Sequence, residues 1–510
     1  MINVKTTTSG GLTMEHYYIK TNRTFTTVRK YSWFLTVLVA VGGLWVPKLG
    51  LLVILIMAGL ITTSFFSGRL WCGNFCPHGS LFDRIIMPIS RNKKIPKQLK
   101  SKLAVIGFFA FFTFSFSRKV LRVIQLWGTM AFLDRLGFVF VTTYLMVMIV
   151  GGLMAILVNS RAWCQFCPMG SLQKISHSLG KAVGVAPKTE RKVTISNKDM
   201  CHTCGKCARV CPFQLKPYLD FSGNNQFDDS NCIKCATCVE NCPAGILSIG
   251  TQKKAVQLLT STPAPGYENR QTIHAKIADI KALKDETWEF TFNFVTPEIV
   301  DYKAGQFITL KIEDEPLSFR AYSISSYNED SRSLKVIIKK VENGYGTGII
   351  FSRFKVGDMV ELEGPLGDEL VPSPEAEKLV FVANGIGITP FIALVKDVLL
   401  NKPNLKSVKL IYGERYETEF LYHDYFKAFA DAYPQFEYLP VVSRPKGIEY
   451  RKGRVTDVLK DSKLDLEGVK VYMCGSKRMV EDSVSILMSR GVSVSEIFYE
   501  SEDRIKLPAA

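Results

Sequence analysis

The sequence predicts a multidomain chain. It reads as an α-helical bundle of about four membrane spans, a small cysteine-rich α+β segment, an antiparallel β-barrel, and an α/β domain on a parallel sheet. Three observations predict this. Long apolar runs are confined to the region before residue 160. Twelve of the 13 cysteines fall in four tight groups, each followed by Pro. After residue 270, short alternating runs give way to a wholly apolar strand that enters a glycine turn.

At 510 residues the chain holds several domains, and its formal net charge is +17. The basic residues Arg91, Lys93, Lys94, Lys97, Lys100 and Lys102 stand beside apolar runs, as the cytoplasmic flanks of membrane helices do. No basic stripe carries a recognition motif, so nucleic acid is not an expected partner. Tight cysteine groups suit metal sites in a reducing compartment better than a disulfide framework. Residues 1–30 are too polar for a cleavable signal peptide and read as a cytoplasmic N-terminal segment.

Residues 31–180 form the expected membrane domain. Residues 31–66 are apolar except at Pro47-Lys48, which suggests two short spans in a tight hairpin. Residues 103–116 read as a third, short span or as a buried or re-entrant helix, and residues 136–158 as a fourth. Arg23, Arg29 and Lys30 before the first span, and the basic run after the second, put both ends in the cytoplasm. Arg118, Lys119 and Arg122 stand in the loop assigned outside. Four spans leave the cysteine motifs and the C-terminal half on the cytoplasmic side of an inner membrane.

An internal repeat lies here. RLWCGNFCPHGSL (69–81) and RAWCQFCPMGSL (161–172) match apart from one extra residue between the first pair of cysteines. Two such hairpins can pack about a pseudo-two-fold axis and gather Cys72, Cys76, Cys164 and Cys167. Four thiolates suit an iron–sulfur cluster or zinc; a redox disulfide or two separate dithiols are the alternatives. The six histidines, His16, His78, His177, His202, His274 and His423, all lie outside the spans, which excludes haem ligated within the membrane.

Residues 190–250 contain CHTCGKCARVCP (201–212) and CIKCATCVENCP (232–243). Each is the C-x2-C-x2-C-x3-C-P run of a dicluster ferredoxin, whose fourth cysteine serves the other cluster. That rule gives one [4Fe–4S] cluster to Cys201, Cys204, Cys207 and Cys242, and the second to Cys232, Cys235, Cys238 and Cys211; zinc is the alternative occupant. Together with the membrane motifs, these runs resemble the membrane polyferredoxins of periplasmic nitrate and nitrous-oxide respiration. They are also similar to the copper reductases of oxidase assembly, over about residues 24–250. The second membrane motif has C-x2-C where those families show C-x3-C. The resemblance implies electron transfer at the membrane with a quinone or a redox protein partner.

Residues 251–270, with Pro263, Pro265 and Gly266, read as a linker. Residues 271–370 show barrel-type alternation around Arg320-Ala-Tyr322-Ser323 and Gly344-Tyr-Gly346-Thr347-Gly348. In residues 371–510 an apolar strand runs into Asn384-Gly385-Ile-Gly387-Ile-Thr389-Pro390, a turn suited to pyrophosphate at a helix N-terminus. A later strand ends in Cys474-Gly475. This ordered set resembles the ferredoxin–NADP reductase family over about residues 274–499. The resemblance implies that Arg320, Gly346 and Thr347 hold the phosphates of FAD, and that Tyr322 and Ser323 attend its ring. It also implies that Gly385, Gly387, Thr389 and Pro390 receive NAD(P)H, with Cys474 and Gly475 near the nicotinamide. Asn384 replaces a usual glycine, which requires a negative φ, and the tail from Phe498 gives no clean family ending. Glu414 and Arg415 leave NADH and NADPH both open, the acid favouring NADH.

The expected activity is NAD(P)H-dependent electron transfer, through FAD and two [4Fe–4S] clusters with a possible third at the membrane cysteines. The alternative is a copper reductase or an assembly factor for a respiratory metalloenzyme.

Overall fold

The structure is a computed structural model that describes residues 17–261 and 264–500. Most of the N-terminal segment, His16 and the tail beyond Glu500 lie outside the described residues. The chain divides into two compact units, Met1–Lys198 with Gly205–Thr262, and Asp199–Cys204 with Pro263–Ala510.

Among the described residues of the first unit three helices, against the four expected, are long and apolar enough to cross a membrane: Pro47–Ser67, Lys102–Ile124 and Ala131–Leu157. The first arm of the expected hairpin is the eight-residue helix Trp33–Ala40. Gly42-Gly43 and Pro47 explain the difference, because glycine is a weak helix former and proline lacks the N–H that would continue the ladder. The chain instead turns through two short 3-10 segments, Gly42–Leu44 and Pro47–Leu51. A Cβ on Gly50 would lie 2.0 Å from the Gly137 carbonyl oxygen, and one on Gly137 would lie 2.2 Å from that of Pro47. Bare backbone therefore meets bare backbone, the small-residue contact that lets apolar helices approach. The third expected span is longer than residues 103–116, because the helix carries on through Arg118 and Arg122 to Ile124.

Arg29 Nη1 donates to the Cys72 carbonyl at 3.0 Å, so the first hairpin returns to the end where it began. The same unit contains the α+β segment, in which Lys192–Ile195 pairs antiparallel with Leu247–Gly250. Part of the expected linker is the helix Gln252–Ser261.

The second unit contains a six-stranded antiparallel sheet in the order Leu317–Ser323, Phe307–Asp314, Met359–Leu366, Gln271–Lys284, Thr287–Thr296, Ser333–Lys339. An isolated bridge between Ile324 and Val336 links its two edges into a barrel. Inside it Phe290, Phe292, Leu310 and Leu362 are buried. A second, all-parallel sheet follows, ordered Arg451–Lys452, Phe436–Val442, Ser407–Glu414, Lys378–Asn384, Lys470–Cys474, Ile497–Glu500. The chain leaves Lys378–Asn384 on one side and returns on the other. The carboxyl ends of Lys378–Asn384 and Lys470–Cys474 thus flank a topological switch point, where such sheets bind ligands.

Candidate redox and nucleotide sites

The repeated cysteine motifs fold as a reciprocal pair. Arg69 Nη2 is 3.8 Å from Cys72 Sγ, and Arg161 Nη1 is 3.5 Å from Cys164 Sγ. Cys76 and Cys167 each precede a helix that opens on proline, Pro77–Leu81 and Pro168–Ala182. The Gly79 N–H donates to Cys76 Sγ at 3.4 Å, and the Gly170 backbone serves Cys167 alike. The exchange is crosswise as well. A Cβ on Gly79 would lie 2.6 Å from Arg161 Nη1, and one on Gly170 would lie 2.8 Å from Arg69 Nη2. The glycine of each motif is thus the seat of the other motif's arginine.

The four thiols are neighbours. Burial, then Cys72 and Cys164, push the Cys76 thiol up to about 12. Burial, then Cys164, Cys72 and Cys76, push Cys167 up to about 12. Gln173 Nε2 also donates to Cys72 Sγ at 3.0 Å. Around them Arg23, Arg29, Arg69 and Arg161 are all buried, and the carboxylate among them is Asp83. Asp83 accepts from Arg161 at 3.1 and 2.8 Å and from Arg29, with Arg23 3.5 Å away. Buried charge is costly unless paired. Three guanidiniums facing one carboxylate, with Arg69 buried beside Cys72, therefore leave a surplus that an anionic thiolate centre would balance. Among the described residues no three His, Cys, Asp or Glu side chains are grouped at a single-ion position. The donor set fits a thiolate-held cluster.

The second set of ferredoxin thiols lines one pocket, whose walls include Cys211, Cys232, Cys235 and Cys238. Its wrapping repeats in the first run. Thr203 and Gly205 have φ of 49° and 66°, and the matching Lys234 and Ala236 have 54° and 60°. Left-handed backbone at three non-glycine positions is strain that surrounding structure must hold. N–H groups there reach sulfur, from Thr203 to Cys201 and from Lys234 to Cys232, and beside Gln214, whose φ is 56°, from Phe213 and Leu215 to Cys211. This cradle of four thiols and converging amides fits a [4Fe–4S] cluster. Cys201 and Cys204 belong to the second unit, and Cys207 and Cys242, both buried, to the first.

Within the second unit the segment Asp199–Cys204 packs on the barrel. Phe319 N donates to the Thr203 carbonyl at 3.2 Å, and Arg270 Nη1 to that of Cys201 at 3.0 Å. His202 lies 2.8 Å from the Tyr267 hydroxyl and edge-on to Phe307. Arg320 Nη1 donates to the Cys204 carbonyl at 3.0 Å, while its Nη2 is buried without a partner. A Cβ on Gly346 would lie 2.5 Å from Arg320 Nε, so this glycine lets the helix Tyr345–Arg353 open directly beside the guanidinium. An orphaned buried donor next to a helix N-terminus suits a flavin phosphate. Thr347 accepts at Oγ1 from Val341 N at 3.1 Å, and Tyr322 packs half-buried on the barrel core.

At the switch point Gly385 has φ +59°, and a Cβ on Gly387 would lie 2.2 Å from the Cys474 carbonyl oxygen. Asn384 takes the required negative φ of −137°, and its Oδ1 accepts from Ser476 N at 2.9 Å. The side chain occupies space left bare at Gly475, where a Cβ would lie 2.1 Å from that oxygen. Thr389 Oγ1 donates to the Ile386 carbonyl, and Pro390 stands in the first turn of helix Thr389–Asn401. Glu414 accepts from the Tyr412 hydroxyl at 2.8 Å, and burial raises its carboxyl to about 7.

Two groups escaped the sequence reading. Asp83, the acid that gathers three arginines, sits inside an otherwise basic stretch. Glu500 ends the last strand in register with Cys474 and hydrogen-bonds Ser323. Burial and then Glu369 raise its carboxyl to about 8. The signal for Glu500 was an acid at a strand end, visible only once that strand is known to pair with Lys470–Cys474.

Comparison with known proteins matches four family models. They are an oxidoreductase NAD-binding domain over residues 381–485, an oxidoreductase FAD-binding domain over 274–369, a 4Fe-4S dicluster domain over 192–243, and a 4Fe-4S binding domain over 49–96 and 140–185. The toluate 1,2-dioxygenase electron transfer component of Pseudomonas putida is 28% identical over 239 residues, 47% of this chain and 68% of that protein. A propane 2-monooxygenase reductase component of Rhodococcus jostii is 23% identical over 308 residues, 59% of this chain and 80% of that protein. The solved cytochrome P450 reductase GcoB of Amycolatopsis aligns with TM-score 0.43 at 24% identity, over 49% of this chain and 72% of that one. The chain thus joins 4Fe-4S domains to FAD-binding and NAD-binding oxidoreductase domains, and it is an NAD(P)H-dependent iron–sulfur flavoprotein oxidoreductase.

Proposed function

We propose that this chain is a membrane-bound electron-transfer flavoprotein of the cytoplasmic membrane, carrying electrons from NAD(P)H to a quinone or a redox protein. The observation that carries the reading is the convergence of Cys72, Cys76, Cys164 and Cys167 under four buried arginines, at one end of a bundle with three helices of membrane-spanning length. That centre is separate in sequence from the ferredoxin motifs and from the nucleotide-binding domains. When bound, FAD supplies hydride acceptance from the nicotinamide, and the thiolate-held clusters supply one-electron transfer.

The residues of the chain do the rest. Arg320, Gly346 and Thr347 anchor the flavin phosphates, and Tyr322 packs on its ring. Gly385 and Gly387 admit the dinucleotide backbone, and Thr389 and Pro390 fix the helix that receives its pyrophosphate. Glu500, whose carboxyl burial raises to about 8, accepts from the Ser323 hydroxyl, with Cys474 across the strand pair. Cys211, Cys232, Cys235 and Cys238 hold one ferredoxin cluster, and the spacing of the first run assigns Cys201, Cys204 and Cys207 to another. Arg69, Arg161, Arg29 and Arg23 balance the charge of a third at the membrane cysteines.

A second reading of the acceptor, an oxygenase component, is favoured by the relatives, which are named as electron transfer or reductase components of oxygenases. Anaerobic titration of the purified protein with NADH and NADPH, followed by EPR with quinone and protein acceptors offered in turn, separates the two. Turnover with a quinone and loss of it in Cys72→Ser support the membrane reading. Full protein-acceptor turnover in Cys72→Ser without quinone reduction refutes it.

A further inference from the structure

The two membrane-half motifs differ by one residue, Gly73-Asn74-Phe75 standing where the second has only Gln165-Phe166. That insertion marks a contact. A Cβ on Gly73 would lie 1.9 Å from the Ile233 carbonyl oxygen and 3.1 Å from Cys235 N, so two backbones touch there. Asn74 Nδ2 donates to the Lys234 carbonyl at 3.3 Å. Both contacts fall on the loop Cys232-Ile-Lys-Cys235, whose thiols share a cavity with Cys211 and Cys238.

The surroundings extend this junction. Cys72, Cys164, Phe213 and Ile233 belong to one buried apolar cluster, with Cys167, Cys211 and Cys235 packed against it. Arg69, beside Cys72 Sγ, stacks over the Phe213 ring at 4.7 Å. Arg29 interacts with both Cys76 and Cys235. Lys234 Nζ donates to the Ser67 carbonyl at 2.5 Å and to Glu190 at 2.7 Å, which ties the same loop to the end of helix Leu52–Ser67. In the other motif the matching Phe166 packs on Phe108 and Trp163.

We propose that the Cys72–Cys76 loop is the docking point of the Cys232–Cys235 loop, and that electrons pass between the two cysteine sites across the Gly73–Ile233 contact. The cluster at Cys211, Cys232, Cys235 and Cys238 is then the one that faces the membrane site. Each crossing oxidises that cluster by one electron and reduces the cluster at Cys72, Cys76, Cys164 and Cys167 by one. The electrons come in pairs from NAD(P)H hydride, whose proton remains on the flavin side. The inference rests on the reading that the membrane cysteines hold a cluster.

The test uses reconstituted full-length protein, reduced anaerobically, with iron analysis beside EPR. Wild type is expected to bind about twelve iron atoms, four for each of three clusters. Its reduced spectrum should show spin–spin broadening beyond that of the ferredoxin clusters alone, and Cys72→Ser should abolish this added broadening. Gly73→Val should retain all the iron but lose the broadening, and NADH should then reduce the ferredoxin clusters while the membrane cluster lags. Should Gly73→Val lose iron, Asn74→Leu decides, since it removes the bond to Lys234 without adding bulk at the backbone contact, and it should weaken the broadening. About eight iron atoms in wild type overturns the cluster reading beneath the proposal. Full iron with broadening unchanged in Gly73→Val, or in Asn74→Leu where that variant decides, overturns the docking itself.

Discussion

Replacing Asp83 by Asn leaves the shape of the arginine cage intact and removes its anion. Asp83 is fully buried and serves three guanidiniums, Arg161 through two bonds at 3.1 and 2.8 Å, Arg29 through another, and Arg23 at 3.5 Å. Its carboxyl is held far below the usual range, the guanidiniums of Arg161, Arg29 and Arg23 outweighing the burial that opposes them. The amide keeps one acceptor oxygen but presents two N–H donors to neighbours that are all donors. Breaking a buried ion pair from one side costs about 3–5 kcal/mol. At about 2–4 °C per kcal/mol for a unit of this size, the melting temperature of the helical unit should fall by about 6–20 °C. Circular dichroism of the detergent-solubilised protein measures it, while flavin release follows the second unit as an internal control that should not move. Adding Arg29→Met should recover part of the loss, because one uncompensated charge leaves with it. A loss below about 1 kcal/mol, the range of exposed ion pairs, would refute the claim that this cage is a dry, charge-balanced core.

Three further outcomes test the other sites. Arg320→Ala removes the orphaned donor and should weaken flavin retention by about ten- to a hundredfold, from charged hydrogen bonds of about 1.5–3 kcal/mol, read by flavin content after dialysis. Glu500→Gln should abolish an inflexion near pH 8 in flavin reduction by NADH, seen by stopped flow. Because the folded carboxyl binds its proton more tightly than the unfolded one, stability should fall as pH rises from about 4.5 to about 8 in the parent and stay flatter in the Gln variant. Gly50→Leu drives a side chain into the Gly137 backbone and should destabilise the bundle well beyond an exposed Gly→Leu change such as Gly107→Leu, whose site is open.

Local chemistry determined much of this protein. The ferredoxin runs, the barrel alternation and the glycine turn at Gly385–Thr389 are legible because each needs particular residues at short spacing, and the structure puts turn, strand and helix where that spacing asks. Asn384 was readable as tolerable, given a negative φ. The count of helices long enough to cross a membrane was not legible in the same way, since hydropathy does not say whether Gly42-Gly43 and Pro47 will end a helix early.

Tertiary structure alone decided what the cysteine motifs share. The repeat showed that Arg69 and Arg161 recur. Only folding shows each guanidinium seated on the other motif's glycine, and Asp83 drawing in Arg23 and Arg29 across more than 50 residues. Glu500 gains its raised carboxyl from strand order, which no local pattern encodes. The extra residue at Gly73 looked like an irregularity of the repeat. In the fold it is backbone laid against Ile233, because contact between distant segments is set by three-dimensional packing, and sequence spacing carries no record of it.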